Sequence, residues 1–327
     1  MKSVIPKVLV TRKIPEAGLA LLRNKCDLEI YQEDRAIPRQ LLLEKIPQVE
    51  GLLCLLSESI DEELLSRAGH LKVVSNFAVG YDNIDIAAAT RHGILVTNTP
   101  GVLTEATADM AWALLLAAAR RLGEGDRIMR AQKFKGWGPL YLLGRDITGK
   151  TLGILGAGRI GRAVVERSVG WKMRILYYDN KVNSELESQF SAQKVTLDQL
   201  VSNADFISIH LPASRETHHL IDEKIIKQMK KSAILINTAR GSIVDEKALV
   251  RALGEKWIAA AGLDVFENEP TLADGLSCLE NVVLAPHIGS ATIQTRDDMA
   301  KIAGANLLAV MEGKKPAYLV NPEVFVK

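Results

Sequence analysis

The stretch TLGILGAGRIGRAV at residues 151–164 constrains the fold of this chain more than any other. An apolar, strand-like run passes into Gly156, Gly158 and Gly161 and then into a helical pattern, and Asp179 closes the next apolar run, RILYYD at 174–179. A G-x-G-x-x-G by itself is a weak signal. Placed between strand and helix, with an acid about twenty residues on, it predicts the opening βαβ unit of a doubly wound, dinucleotide-binding sheet. Gly156 permits the tight turn, Gly158 lets the backbone approach a pyrophosphate, and Gly161 lets helix and strand pack closely, while the helix N-terminus offers N–H groups to the anion. A carboxylate at Asp179 accepts hydrogen bonds from ribose hydroxyls and repels a 2′-phosphate, so NAD is favoured. Lys181, two residues on, offsets part of that repulsion and leaves NADP possible.

Around this unit the chain alternates short apolar runs with helical patterns, the signature of α/β architecture with parallel sheets. KVLVT (7–11), LEIY (28–31), GLLCLL (51–56), KVVSN (72–76) and ILVTN (94–98) read as strands of one sheet. TLGIL (151–155), RILYYD, DFISIHL (205–211), AILINTA (233–239), AAAGLDV (259–265) and VVLAPH (282–287) read as six strands of a second. Helical patterns begin near Thr104 and run from Thr292 to Met311, and residues 123–149 read as an irregular excursion rich in glycine and aromatic side chains. At 327 residues the chain exceeds a single-core length. Two Rossmann-like or flavodoxin-like domains with a cleft between them follow: residues 1–98 plus 288–327 for substrate, and 99–287 for the cofactor, the latter including a long helix and excursion over 102–149.

Composition narrows the partners. The 41 basic and 39 acidic residues are dispersed and give a net charge of +2, with no basic block to track a nucleic-acid backbone or an anionic membrane. The run MAWALLLAAA at 110–119 is too short to span a bilayer, no secretory signal is visible, and the three cysteines form no C-x-x-C pair. A soluble globular protein of the reducing cytoplasm, without nucleic-acid or membrane partners, is expected.

Three residues that follow strands of the second domain suit one reaction: Arg240 in INTARGSIVD, Glu269 in VFENEP and His287 in VLAPHIGSAT. Each alone reads more readily as a surface cation, a solvated acid or a strand-end histidine. Together, beside a nicotinamide site, they match reduction of a carbonyl adjacent to a carboxylate. Arginine clamps a carboxylate with two parallel N–H bonds. An imidazole held protonated by a carboxylate can give a proton to the developing alkoxide. His210 in SIHLPAS reads as a strand-end residue near the cofactor, in a supporting role. His218 and His219 sit on one short loop with no evident carboxylate ligand, so no metal site is expected. Phe77 and Tyr81 read as packing.

GAGRIG, INTARGSIVDEKALVRAL, GLDVFENEP and LAPHIGSAT, in that order and spacing, resemble the D-isomer-specific 2-hydroxyacid dehydrogenase family over essentially the whole chain. NFAVGYDNID, VTNTPGVLTEATADMAWALLLAAAR and the Trp-Gly-Pro then LLG of the excursion look most like its glyoxylate and hydroxypyruvate reductases. The resemblance implies that Arg240 binds the substrate carboxylate, that His287 donates the proton and that Glu269 pairs with it. It implies that Val79 and Gly80 complete the carboxylate pocket and that Leu56 lines its apolar side. Thr107 and the turn Ala157, Gly158, Arg159 and Ile160 would touch the cofactor phosphates, and Asp179, Asn180 and Lys181 would surround the ribose. Thr238, Ala239 and Asp264 would flank the nicotinamide, with His210, Pro212 and Gly289 close to the cofactor. Such enzymes are typically homodimers through the dimerisation helix and excursion, here residues 102–149, in which Trp137 reaches the partner's active site. The sequence YYDNK departs from glyoxylate reductases that carry a small residue and then arginine at this point, so their NADP preference does not transfer. A D-3-phosphoglycerate or D-lactate type of substrate, and an NAD-sensing corepressor role, are the alternatives.

Overall fold

The computed structural model describes residues 5–325 and divides the chain into two compact units, Met1–Leu103 with Ser290–Lys327, and Thr104–Gly289. The first contains a five-stranded parallel sheet made of β1 (Lys7–Val10), β2 (Asp27–Ile30), β3 (Gly51–Cys54), β4 (Val73–Asn76) and β5 (Leu95–Thr97), in the order β2-β1-β3-β4-β5. Successive strand residues face opposite sides. Leu9, Leu52, Val74 and Val96 therefore enter one apolar core, while Val8, Val10, Leu53 and Val73 enter the other. The second core is closed by the helix Ile293–Met311, which returns from the far end of the chain. The Ser75 hydroxyl donates to the carbonyl of Ala303 in that helix at 2.9 Å.

The second unit holds seven parallel strands: β6 (Thr151–Leu155), β7 (Arg174–Tyr178), β8 (Gln193–Lys194), β9 (Phe206–Ile209), β10 (Ile234–Asn237), β11 (Ala260–Leu263) and β12 (Val282–Leu284). Their order is β12-β11-β10-β9-β6-β7-β8. Strand order reverses between β6 and β9, the place where a doubly wound sheet opens a crevice at its carboxyl edge. β8 was not among the six expected strands because a two-residue polar strand carries no apolar run.

Two further expectations are corrected. The start of the excursion is not irregular: Leu122–Arg130 forms a helix, none of whose residues is buried, supported by the Arg121–Glu124 and Arg130–Asp126 pairs at 2.8 Å. The unit boundaries fall after Leu103 and Gly289, five and two residues beyond the expected 98 and 287. Val102 and Leu103 pack on the core of the first sheet, and the N–H groups of Ile288 and Gly289 are held by Asp264 of the second unit. Among the described residues no helix is long and apolar enough to cross a membrane.

Candidate active site

The ladder of the larger sheet sets its strand ends in one row. Tyr178 pairs with Leu155, Leu155 with Ile209, Ile209 with Asn237, Asn237 with Leu263 and Leu263 with Leu284. One residue further along each of the first five strands stand Asp179, Gly156, His210, Thr238 and Asp264. Five positions selected from separate stretches of sequence thus emerge side by side at the carboxyl edge of one sheet.

Gly156 takes φ +97°, and a Cβ there would lie 2.7 Å from the carbonyl carbon of His210. No other residue fits both the left-handed turn and that approach. The turn opens the helix Arg159–Ser168, whose N-cap is Gly158; Gly158 and Arg159 are exposed and Ile160 is half-buried. This is the arrangement in which a helix N-terminus receives an anion. The Asp179 carboxylate accepts the N–H of Ala157 at 2.8 Å and of Lys181 at 3.0 Å, one on each oxygen. Each oxygen keeps a further lone pair for a ribose hydroxyl. Asn180, Lys181 and Pro212 are exposed at this rim. The Thr238 hydroxyl is buried without a hydrogen-bond partner. Burial of such a group costs about 1–3 kcal/mol unless a bound molecule meets it, so this edge fits a dinucleotide. His210 is anchored by its N–H on Leu155 O at 2.7 Å, its Nε2 lies 2.8 Å from the Ser208 hydroxyl, and burial lowers the imidazole to about 3. It is a neutral, supporting ring.

The expected trio belongs to the same unit. His287 has a left-handed backbone, φ +54°, and its Nδ1 lies 2.8 Å from Glu269 Oε2. Glu269 Oε1 accepts the N–H of Phe266 at 3.0 Å. Burial pushes the Glu269 carboxyl up, but the bond and charge of His287, the Phe266 N–H and the Arg240 charge together carry it below the usual carboxylate range. With Nδ1 committed to that carboxylate, Nε2 is the nitrogen that can exchange a proton with a substrate. Apolar groups of Phe266, Pro270, Leu272 and Leu284 line a cavity beside the pair. Arg240 is half-buried after β10, and its turn is stapled by Asn237, which receives the N–H of Ala239 and donates to the carbonyl of Arg240.

Asp264, buried after β11, accepts the N–H groups of Ile288 and Gly289 at 2.7 and 2.6 Å, which fixes the turn behind His287. Thr107 is buried alongside, since a Cβ at Gly289 would lie 3.6 Å from its methyl carbon. In the other unit, Leu56, Val79 and Gly80 are half-buried after β3 and β4. The carbonyls of Val79 and Gly80 accept the amides of Asn98 and Asn76, each at 2.8 Å. Trp137 is 87% exposed on the excursion.

Several supports were not foreseen. A Cβ at Gly241 would fall 1.9 Å from the carbonyl carbon of Phe266, so only glycine lets the Arg240 turn lie against the segment leading to Glu269. Glu246, 3% exposed, accepts the N–H groups of Glu267 and Ala273 at 3.0 and 3.2 Å and so clamps both ends of the Glu269 loop. Asparagine recurs at the ends of β4, β5 and β10, as Asn76, Asn98 and Asn237, and that repetition was a readable signal. The expectation that His218 and His219 lack a carboxylate is corrected: Glu267 Oε1 lies 2.7 Å from His219 Nε2, brought there from a loop 48 residues away.

Residues 112–289 match the model of the D-isomer specific 2-hydroxyacid dehydrogenase NAD-binding domain. A protein of Thermococcus onnurineus named glyoxylate reductase is 51% identical over 323 residues, which are 98% of this chain and 97% of that one. A glyoxylate reductase from Paecilomyes thermophila superposes with a TM-score of 0.87 at 35% identity, covering 99% of this chain and 100% of the other. An NADPH-dependent glyoxylate/hydroxypyruvate reductase of Sinorhizobium meliloti, solved with NADP and malonate, gives 0.86 at 32% identity, with 99% of each chain covered. The sheet order, the nucleotide turn, the His–Glu pair and likeness along both sequences converge: the chain belongs to the D-isomer-specific 2-hydroxyacid dehydrogenase family.

Proposed function

We propose that the protein reduces a short 2-oxo acid, glyoxylate or hydroxypyruvate, to the D-2-hydroxy acid, with NADH preferred and NADPH possible. The observation that carries this reading is the His287 Nδ1 to Glu269 Oε2 bond of 2.8 Å on the carboxyl edge that also bears Arg240 and the glycine turn. The name of the 51%-identical relative supports the substrate class. Nicotinamide, when bound, supplies the hydride to the carbonyl carbon. Arg240 holds the substrate carboxylate through two N–H bonds. His287 Nε2 gives its proton to the carbonyl oxygen as charge develops there, and Glu269 stabilises the imidazolium until that moment. Thr107 and the Ala157–Ile160 turn hold the phosphates; Asp179 with Asn180 and Lys181 holds the ribose; Thr238, Ala239 and Asp264 lie toward the nicotinamide, with His210, Pro212 and Gly289 supporting.

The protein works in the cytoplasm as a homodimer in this reading. Support for the dimer is the run of exposed apolar side chains on the excursion, with Trp137 at 87%, Leu140 at 82% and Leu143 at 61%, more than a solvated loop normally carries. Steady-state oxidation of NADH and NADPH with glyoxylate, hydroxypyruvate, pyruvate and phenylpyruvate tests the proposal through kcat/KM. Preference for the two small polar acids supports it, and preference for phenylpyruvate or no turnover overturns it. Arg240→Ala should lose on the order of a hundredfold or more with the preferred acid, because the carboxylate is left without its clamp.

A further inference from the structure

His218, His219 and Glu267 form a cluster that the reduction chemistry does not use. Each offers one ligand atom, and the three atoms lie within 4.8 Å of one another. Consecutive side chains on an extended backbone point to opposite sides, so adjacent histidines seldom face one partner. Here the two histidines lie in the turn 215–219, His219 adopts φ +50°, and the rings are stacked with centroids 4.1 Å apart and planes 27° from parallel. The backbone around them is pinned. The His218 N–H donates to Ser214 O at 3.0 Å, the His219 N–H to Ser242 O at 2.9 Å, and the Glu267 N–H to the buried Glu246 carboxylate at 3.0 Å. His218 is exposed while His219 and Glu267 are half-buried, so the cluster opens to solvent on one side.

We propose that His218, His219 and Glu267 form a binding site for one divalent transition-metal ion, Zn2+ or a similar borderline cation, with water at the remaining position. Two imidazole nitrogens and one carboxylate oxygen are a donor set that suits Zn2+, at bond lengths of about 2.0–2.2 Å. Tetrahedral bonds of that length place neighbouring donors about 3.4 Å apart. The His219 to Glu267 contact of 2.7 Å opens slightly, and the wider separations close by rotation of the exposed His218 ring. The bound ion joins two loops of the reaction centre. Glu267 precedes Glu269 by two residues, and Ser242, which receives the His219 N–H, follows Arg240 by two. Occupancy therefore stiffens the segments that set the proton donor's partner and the carboxylate clamp. The proposal is independent of which 2-oxo acid is reduced.

The test is isothermal titration of Zn2+ into the full-length, tag-free, chelator-treated protein, together with the visible absorption of Co2+ bound at the same site and the thermal midpoint with and without Zn2+. The expected result is one saturable equivalent, a four- or five-coordinate Co2+ spectrum, and a midpoint that rises with Zn2+ concentration. His218→Ala, a change at an exposed position, should lose at least tenfold in affinity while its metal-free midpoint stays that of the parent. Glu267→Gln should weaken binding in the same direction. Failure of the parent to bind a saturable equivalent overturns the proposal. So does binding that survives His218→Ala but disappears in His287→Ala, which would assign the ion to the His287–Glu269 pair instead.

Discussion

Glu269→Gln probes the site with little change of shape. In the parent, one oxygen of Glu269 accepts the Phe266 N–H at 3.0 Å and the other faces His287 Nδ1 at 2.8 Å. A glutamine keeps a single acceptor oxygen. When that oxygen stays on Phe266, the amide NH2 meets His287 and cannot coexist with a proton on Nδ1. The pairing with His287 is also the chief influence that holds Glu269 below its ordinary range against the opposing effect of burial. Its loss removes a charge-assisted bond of about 1.5–3 kcal/mol, equivalent to roughly 10- to 150-fold. In the direction of reduction the protonated imidazole is the active form. The variant lacks the carboxylate that accepts from Nδ1 and balances the charge on the ring, so under the proposed function kcat/KM for reduction should fall by about that factor. At any one pH the same factor is lost in both directions if cofactor affinity is unchanged, since the overall equilibrium is untouched. The informative measurement is therefore kcat/KM for reduction in parent and variant, with urea unfolding as the control for stability. A deficit accompanied by a comparable loss of stability in urea would show that Glu269 merely shapes the loop, and no deficit at all would remove it from the mechanism.

Gly241→Ala should cost about 1–3 kcal/mol in urea unfolding and lower kcat/KM together, because the added methyl meets the Phe266 and Glu267 backbone at 1.9–2.3 Å and no side chain can swing away; an unaltered variant would mean the two turns need not touch. Asp179→Ala should shift the NADH-to-NADPH preference toward NADPH by on the order of tenfold or more, and an unchanged ratio of kcat/KM values would mean the carboxylate serves only the Ala157 and Lys181 N–H groups it already accepts. His210 predicts acid sensitivity. Burial lowers it to about 3, so below pH 6.5 the unfolded chain takes a proton that the folded one refuses. Stability then falls by at most about 1.4 kcal/mol per pH unit on that account. The gap in urea midpoint between parent and His210→Gln should change between pH 7 and pH 5.5, and a gap independent of pH would refute the burial of a neutral ring.

What the sequence made legible, and what it hid, separates along a physical line. The groups proposed to meet the ligand announce themselves because their chemistry is rare in context: a glycine turn between strand and helix, an acid at a strand end, an arginine and a histidine where apolar runs stop. The register of one parallel sheet then does the assembling, since residues that follow neighbouring strand ends must emerge side by side whatever separates them in sequence. Asp179, Gly156 and His210 were readable for that reason, whereas Thr238 and Asp264 entered only through the family resemblance.

The clamps were not readable, because each is defined by a partner distant in sequence and of ordinary composition. Glu246 looks like an acid in the first turn of a surface helix, where it would be stabilising and solvated. Instead it is buried, with its carboxyl pushed above the ordinary range by that burial even though two N–H groups pull the other way. Twenty-one residues separate it from Glu267 and twenty-seven from Ala273, and no local periodicity links them. Gly241 likewise reads as an ordinary loop glycine until the Phe266 backbone is seen against it. Both clamps act on the segment that carries Glu269, and Glu267 of that segment also meets His219. The loop that carries Glu269 is therefore held at three points: by the buried Glu246 carboxylate, by the bare backbone contact with Gly241, and by His219. Under the proposed function such constraint at residues 266–273 has a use, because a 2.8 Å bond that keeps a proton in place through each turnover needs a loop that does not drift.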